Sequence, residues 1–146
     1  MIRKMQEEDL GEVAHIWLDT NLKAHSFIAS QYWKDNLAAV KEQLAQAEIF
    51  VYEEGDKNKI KGFVGLQDHY IAGIFVRSSA QSGGIGKILL DYSKSSREQL
   101  TLSVYQKNTR AVKFYQREGF HIQREGMDEN TGEKEYEMCW DRSAEP

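Results

Sequence analysis

Apolar residues change their spacing several times along this chain, and each change marks an element. Between residues 9 and 21, Leu10, Val13, Ile16 and Trp17 recur at steps of three and four, which predicts an amphipathic helix. A second helix is expected from Ser30, read as its cap, to about residue 46, with Trp33, Leu37, Val40 and Leu44 on one face. Residues 25–28 form the loop between them, and residues 2–4 are a short strand in front. After the second helix the period drops to two. Strands are expected at 49–53 and 60–67, hairpinned across a hydrophilic turn at 55–59, and again at 69–76. A third helix reaches about residue 96, and a strand at 100–104 leads to a fourth helix. A hairpin of 120–127 and 135–140, turning near Gly132, closes the chain. The order βααβββαβαββ is α+β.

The junction between the strand ending at Val76 and the third helix carries the most chemistry. It reads Val76-Arg77-Ser78-Ser79-Ala80-Gln81-Ser82-Gly83-Gly84-Ile85-Gly86-Lys87, after which Ile85, Ile88, Leu89 and Tyr92 recur at helical spacing. Free amides and the positive end of a helix dipole converge at such a turn, a geometry that binds phosphate oxygens. A P-loop needs glycine five residues before the Gly-Lys pair and Ser or Thr after it, but Gln81 and Ile88 stand there. A dinucleotide fingerprint counted from Gly84 meets Leu89 at its third position and sits mid-chain, so it fails too. A plain glycine-rich helix cap stays open at this point. The match that remains is Gln81-x-x-Gly84-x-Gly86.

A second segment follows. After the strand at 100–104, Asn108 is a good helix cap, Ala111, Val112, Phe114 and Tyr115 form one apolar face, and Gly119 ends the helix before Phe120. The two segments together resemble the GNAT superfamily of acetyl-CoA-dependent N-acetyltransferases. In that superfamily the pattern Q/R-x-x-G-x-G/A is the pyrophosphate loop, and a strand-N-x-x-A-x-x-[FL]-Y-x-x-x-GF block follows it. The resemblance covers nearly the whole chain. It implies a three-layer α+β fold in which a mixed, mostly antiparallel sheet of about seven strands is flanked by four helices, with residues 1–146 as a single domain. Ile16-Trp17, Ala24-His25-Ser26-Phe27-Ile28 and Tyr32-Trp33 resemble a small bacterial single-domain branch, some members of which acetylate protein lysines. On residue chemistry alone, Trp17, Phe27, Ile28 and Trp33 read as core, whereas His25 is open between a loop hydrogen bond and an acceptor-side contact.

By resemblance, Ile74, Phe75 and Val76 pair with the pantetheine arm of acetyl-CoA. Gln81, Ser82, Gly83, Gly84, Ile85, Gly86 and Lys87 surround its pyrophosphate, and Asn108 caps its helix and touches the cofactor. An N–H near Gly73 or Ile74 meets the acetyl oxygen. Gly73 inside a strand suggests a bulge or a close ligand approach. Tyr115 is a core residue by periodicity alone. Its place in the motif makes it the general acid for the leaving thiolate, since a phenol with pKa near about 10 can protonate a thiolate of about 8.5. An amine such as lysine, with pKa about 10.4, must first lose a proton. Many relatives offer a glutamate on the fifth strand for this, whereas this chain has Ser103. Glu53, Asp68, His69 and Tyr70 lie near strand ends as other candidates. That departure keeps a non-catalytic CoA-binding sensor or interaction module alive as an alternative, and a transferase of the same fold for another, longer acyl-CoA is the other.

Composition bounds the rest. The 146 residues suit one domain, and the net charge of −4 with interspersed signs argues against nucleic-acid binding. No run has the length of a membrane span and no signal peptide is recognised, so a cytoplasmic protein with no membrane partner is expected. His15, His25, His69 and His121 lack metal-ligand spacing, so no metal is expected. Cys139 reads as a small buried hydrophobe without a nucleophile's surroundings, and Ser93, Ser95 and Ser96 lack a nucleophile elbow. The expected acceptor is an amine, either on a small molecule or on a protein lysine or N-terminus. Sequence leaves open which one, and whether the chain is a monomer or a homodimer.

Overall fold

The computed structural model describes residues 1–55, 59–81 and 83–144. In chain order they form β1 (Ile2–Lys4), α1 (Leu10–Ala24), α2 (Ser30–Gln46), β2 (Glu48–Glu54), β3 (Lys59–Gln67) and β4 (Tyr70–Val76). Then come α3 (Ile85–Ser95), β5 (Gln99–Tyr105), α4 (Thr109–Arg117), β6 (His121–Met127) and β7 (Lys134–Asp141). The strands build one sheet in the order β1-β2-β3-β4-β5-β7-β6. Only β4 and β5 run parallel; every other neighbouring pair is antiparallel.

Alternation along the strands produces three layers. Val13, Ala14 and Ile16 of α1 and Leu44 of α2 pack on Ile49, Val51, Ile60 and Phe63 at one face of the sheet. Leu89 and Leu90 of α3 and Val112 and Tyr115 of α4 pack on Val64, Leu66, Leu100, Leu102 and Met138 at the other. In β5, Leu100, Leu102 and Val104 point to the α3/α4 layer, so Thr101, Ser103 and Tyr105 face the α1/α2 side. The start of the chain is pinned by charge. The buried Asp9 carboxylate accepts two hydrogen bonds from Arg3, at 2.7 and 3.1 Å, and one from the Gln6 N–H at 2.7 Å. Arg3 also reaches Glu53 at 3.0 Å, which joins β1, the entry to α1 and β2.

The helix with the tyrosine forms as its sequence predicts. Asn108 caps it by accepting the Ala111 N–H at 3.2 Å. At the other end Gly119 takes φ +94, while Phe120 N–H donates to the Tyr115 carbonyl at 2.9 Å and Gly119 N–H to that of Gln116 at 3.2 Å. Three expectations change. Ser30 is not a cap: Ala29 occupies that position, Ser30 is already helical, and no side chain caps α2. The first helix continues to Ala24, because Thr20 and Asn21 satisfy their side chains on its own carbonyls of Ile16 and Trp17. Cys139 is half-buried, since the buried face of β7 belongs to Met138 and Trp140 and a strand turns every second residue away. Asp56, Lys57 and Asn58 of the expected turn lie outside the described residues.

Candidate active site

A central strand with an open edge is the main feature of the site. β4 pairs with β3 as far as Val76 opposite Gly62, but it meets β5 only at Tyr70–Thr101 and Ile71–Leu102. Beyond Ile71 the two parallel strands separate. Gly73, Ile74, Phe75 and Val76 are only half-buried in the middle of a seven-stranded sheet, and beyond Ile71 the β5-facing edge of this strand, to which Ile74 and Val76 turn their main chain, pairs with no strand among the described residues. A β-bulge starts this divergence: Gly65 pairs with Gly73 and Leu66 with Ile71, leaving Ala72 as the extra residue. Gly73 thus sits in the bulge that its sequence context suggested. A Cβ there would stand 2.4 Å from two atoms of the Phe75 ring, which is itself stacked on Phe63 at 4.8 Å.

The glycine loop follows at the Val76 end of the open edge. Gly84 caps α3 at φ +85 with no side-chain acceptor. The first bond of the helix runs from Ile88 N–H to the Gly84 carbonyl at 3.0 Å, so the amides of Ile85, Gly86 and Lys87 precede the helical ladder. They supply the donors, and the dipole the field, for a diphosphate. Gly83 lies in the approach to these amides, and Ser82 lies outside the described residues. Two side chains are committed elsewhere. Lys87 Nζ bonds Glu118 at 2.9 Å and Asp91 at 3.1 Å, which leaves its main-chain N–H for the loop. Gln81 donates to the Val76 carbonyl and accepts from Arg110, both at 3.0 Å, and so links the end of β4 to α4. Arg110 was not found from sequence; this link brings its cation to the glycine loop. An open edge for an extended amide arm and a cluster of free amides for a diphosphate fit acetyl-CoA.

Tyr115 lies on the inner face of α4, in the core cluster against which Ile74 and Val76 of β4 pack. It is 7% exposed and packs between Phe114 and Phe120, with ring centroids at 5.2 and 5.6 Å. Among the described residues no group hydrogen-bonds its hydroxyl. Burial, and secondarily Tyr70, push its pKa above the ordinary phenol value, so the group stays protonated at neutral pH. Asn108 uses both of its polar atoms: Oδ1 caps α4, and Nδ2 meets His25 Nε2 at 3.0 Å. His25 Nδ1 in turn meets Asn21 Oδ1 at 2.8 Å, so both ring nitrogens of this histidine have partners within the protein, on α1 and at the cap of α4.

The α1/α2 side of β5 and β7 gathers carboxylates. Their register sets Ser103 opposite Glu137 and Tyr105 opposite Glu135. Arg124 holds the Glu137 carboxyl below its usual range, whereas burial, then Asp128 and Glu137, push Glu135 up. Tyr105 donates to Asp128 at 2.6 Å. The Tyr32 phenol is raised first by burial and then by Asp128. The carboxylates on β7 were missed because sequence separation hides a neighbour strand 34 residues away, Ser103 against Glu137. Of the earlier base candidates, Glu53 is ion-paired with Arg3 at the β1–β2 edge. Asp68 and His69 lie exposed in the β3–β4 turn, where the His69 carbonyl accepts the Thr101 N–H at 2.9 Å.

Known proteins place this architecture. A family model described as acetyltransferase (GNAT) domain matches residues 45–122. The chain is 37% identical over 142 residues to the peptidyl-lysine N-acetyltransferase YiaC of Escherichia coli K12, covering 96% of each. The solution structure of apo YjaB from Escherichia coli superimposes with a TM-score of 0.86 at 22% identity, covering 96% of each chain. The structure of yncA from Salmonella typhimurium with its cofactor acetyl-CoA gives 0.68 at 15% identity, over 100% of this chain and 95% of that one. This chain belongs to the GNAT family, and it is an acetyl-CoA-dependent N-acetyltransferase.

Proposed function

We propose that the protein acetylates lysine side chains of other proteins, acting as one domain over residues 1–146. The observation that supports the catalytic part is the unpaired β4 edge beyond Ile71, with the amides of Ile85, Gly86 and Lys87 at the start of α3 and Tyr115 in the core cluster on which Ile74 and Val76 pack. Bound acetyl-CoA supplies the thioester carbonyl that an amine attacks. Ile74, Phe75 and Val76 hold the pantetheine arm by main-chain pairing, as an added strand would. The amide of Gly73 or Ile74 points at the carbonyl oxygen, where negative charge grows. Tyr115 gives its proton to the departing sulfur. On the other face, Glu135, on the same side of β7 as the Arg124-paired Glu137 and pushed up by burial, takes the role of the missing glutamate: it receives the amine's proton through water, and Asp128 favours a cationic approach. The acceptor class rests on the similarity to the peptidyl-lysine enzyme over nearly the full chain. One cysteine and an acidic, mixed surface suit a cytoplasmic enzyme.

Labelled acetyl-CoA with an N-terminally blocked lysine peptide, a peptide whose only amine is its N-terminus, and spermidine tests this reading. Label on the blocked lysine peptide, falling about 100-fold in Tyr115→Phe, is the expected result. Label on spermidine alone would overturn the acceptor assignment. Faster transfer from a longer acyl-CoA would reassign the donor, and tight CoA binding without transfer to any amine would make the protein a sensor.

A further inference from the structure

Asn21, His25 and Asn108 form a continuous bridge, and its proton arrangement can be deduced. Asn21 Nδ2 donates to the Trp17 carbonyl at 2.9 Å, so Oδ1 is the atom facing His25 Nδ1 at 2.8 Å. Asn108 Oδ1 accepts the Ala111 N–H at 3.2 Å, so Nδ2 is the atom facing His25 Nε2 at 3.0 Å. Each amide is oriented by a backbone partner of its own. The imidazole must therefore donate from Nδ1 and accept at Nε2, as a neutral ring in a single tautomer. Protonation would turn an N–H of Nε2 toward the Asn108 amide hydrogens. The ring is held by aromatic contacts with Trp33 at 5.5 Å, Phe27 at 5.6 Å and Tyr105 at 4.9 Å. Burial agrees with this, pushing the His25 pKa down to about 4. Tyr105 is the titratable group that packs on the ring; Lys107 lies over the far ring of Phe27, and Asp128 beyond the Tyr105 hydroxyl.

The two ends of the bridge belong to different halves of the site. His25 ends α1 and opens the loop on the proposed acceptor face; Asn108 caps the helix that carries Tyr115 seven residues later. We infer that His25 is a positioning residue: by joining Asn21 to Asn108 it fixes the acceptor-side loop to the cap of the tyrosine helix and so sets Tyr115 against the bound amine. This rests on the proposed role of Tyr115. The free amides of Ile85, Gly86 and Lys87 are on α3 and make no bond in the bridge, and Gln81 reaches α4 through Arg110 and not through Asn108 or His25, so loss of the bridge acts on turnover and not on holding acetyl-CoA.

Two substitutions and one spectrum test it, with the blocked lysine peptide as acceptor. His25→Phe keeps an aromatic ring for Phe27, Trp33 and Tyr105 but removes both hydrogen bonds. Its kcat is expected to fall about tenfold, since small misplacements of a catalytic group cost this much or more, while the acetyl-CoA Kd stays within twofold. Asn108→Asp keeps an oxygen for the Ala111 N–H and sets a carboxylate against Nε2, which raises the His25 pKa. The bridge then forms only with a protonated ring, so activity in this variant is expected to fall as pH rises through that pKa, a limb absent from the unsubstituted protein. Imidazole nitrogen shifts of the unsubstituted protein at pH 7 should show the Nδ1–H tautomer. An Nε2–H or charged ring overturns the inference. So does a folded His25→Phe with kcat within twofold, or an Asn108→Asp pH profile that superimposes on the original. Tyr115→Phe measured alongside separates the two ideas: full turnover there removes the acid role of Tyr115 while the tautomer result stands by itself.

Discussion

Substituting Gly62 by alanine tests whether β4 is held at a fixed distance for its ligand. Gly62 lies opposite Val76, at the end of the strand with the open edge. A Cβ on Gly62 would stand 2.7 Å from the Phe75 carbonyl oxygen and 3.3 Å from Val76 Cα. Both obstacles are main chain, so no rotamer change relieves them. Reaching ordinary contact near 3.4 Å requires β3 and β4 to part by about 0.7 Å. The next bonds along, Arg77 N–H to the Lys61 carbonyl at 2.8 Å and Arg77 Nε to the Ile60 carbonyl at 2.7 Å, resist that movement. Overpacking of this kind costs about 2 kcal/mol, or roughly 5 °C in Tm. The displaced strand carries, on its other edge, the Ile74 and Val76 main chain proposed to pair with pantetheine. Losing the worth of one or two hydrogen bonds there weakens acetyl-CoA about tenfold. Urea unfolding and calorimetry with acetyl-CoA read the two effects. Gly11→Ala is the control: nothing lies within 4 Å of its would-be Cβ, and an alanine inside α1 should add roughly 0.5–1 kcal/mol. A Gly62→Ala protein with unchanged stability and unchanged acetyl-CoA affinity would refute the reasoning.

Other outcomes follow from single sites. Gly84→Ala should lose about 1 kcal/mol through its left-handed φ of +85 and not through contact, because its surroundings are open; Gly84→Asn should recover most of that in a urea melt. Glu135→Gln should lower kcat on the lysine peptide about 100-fold at pH 7 with little change in acetyl-CoA binding, and unchanged kcat would remove it as proton acceptor. Asp9→Asn should cost about 2 kcal/mol, since Asp9 receives three hydrogen bonds, two of them from a cation. Arg3 holds the Asp9 carboxyl below its unfolded value, so its stabilisation is complete above about pH 4 and disappears as pH falls through the lowered folded pKa. Acid titration of Asp9→Asn should therefore be flatter than that of the unsubstituted protein.

Where the chemistry is local in sequence, the chain announces it. Asn108 and Gly119 bracket α4 with a cap and a left-handed stop, and both are legible because each needs only neighbours within a few residues. The glycine loop is legible for the same reason: a helix start and its free amides are encoded in six consecutive positions. Pairings between distant strands are a different matter. Nothing in residues 99–105 reveals that β7, and not β6, lies beside them, so the carboxylate opposite Ser103 could not be found. Asn21 and Asn108 look like any helix-terminal asparagines until folding brings His25 between them. Ser30 shows the converse error, for a residue with good capping chemistry sits one position too late to use it.

The early parting of β4 from β5 has a consequence for protection from solvent. Strands in the middle of a sheet ordinarily shield their amides for as long as the molecule stays folded, and those on the rim do not. Here the amides of Gly73–Val76 that turn away from β3 occupy the centre of the sheet yet should exchange with deuterium as a rim strand does. Saturation with CoA should slow them selectively, completing the sheet with a molecule instead of a polypeptide.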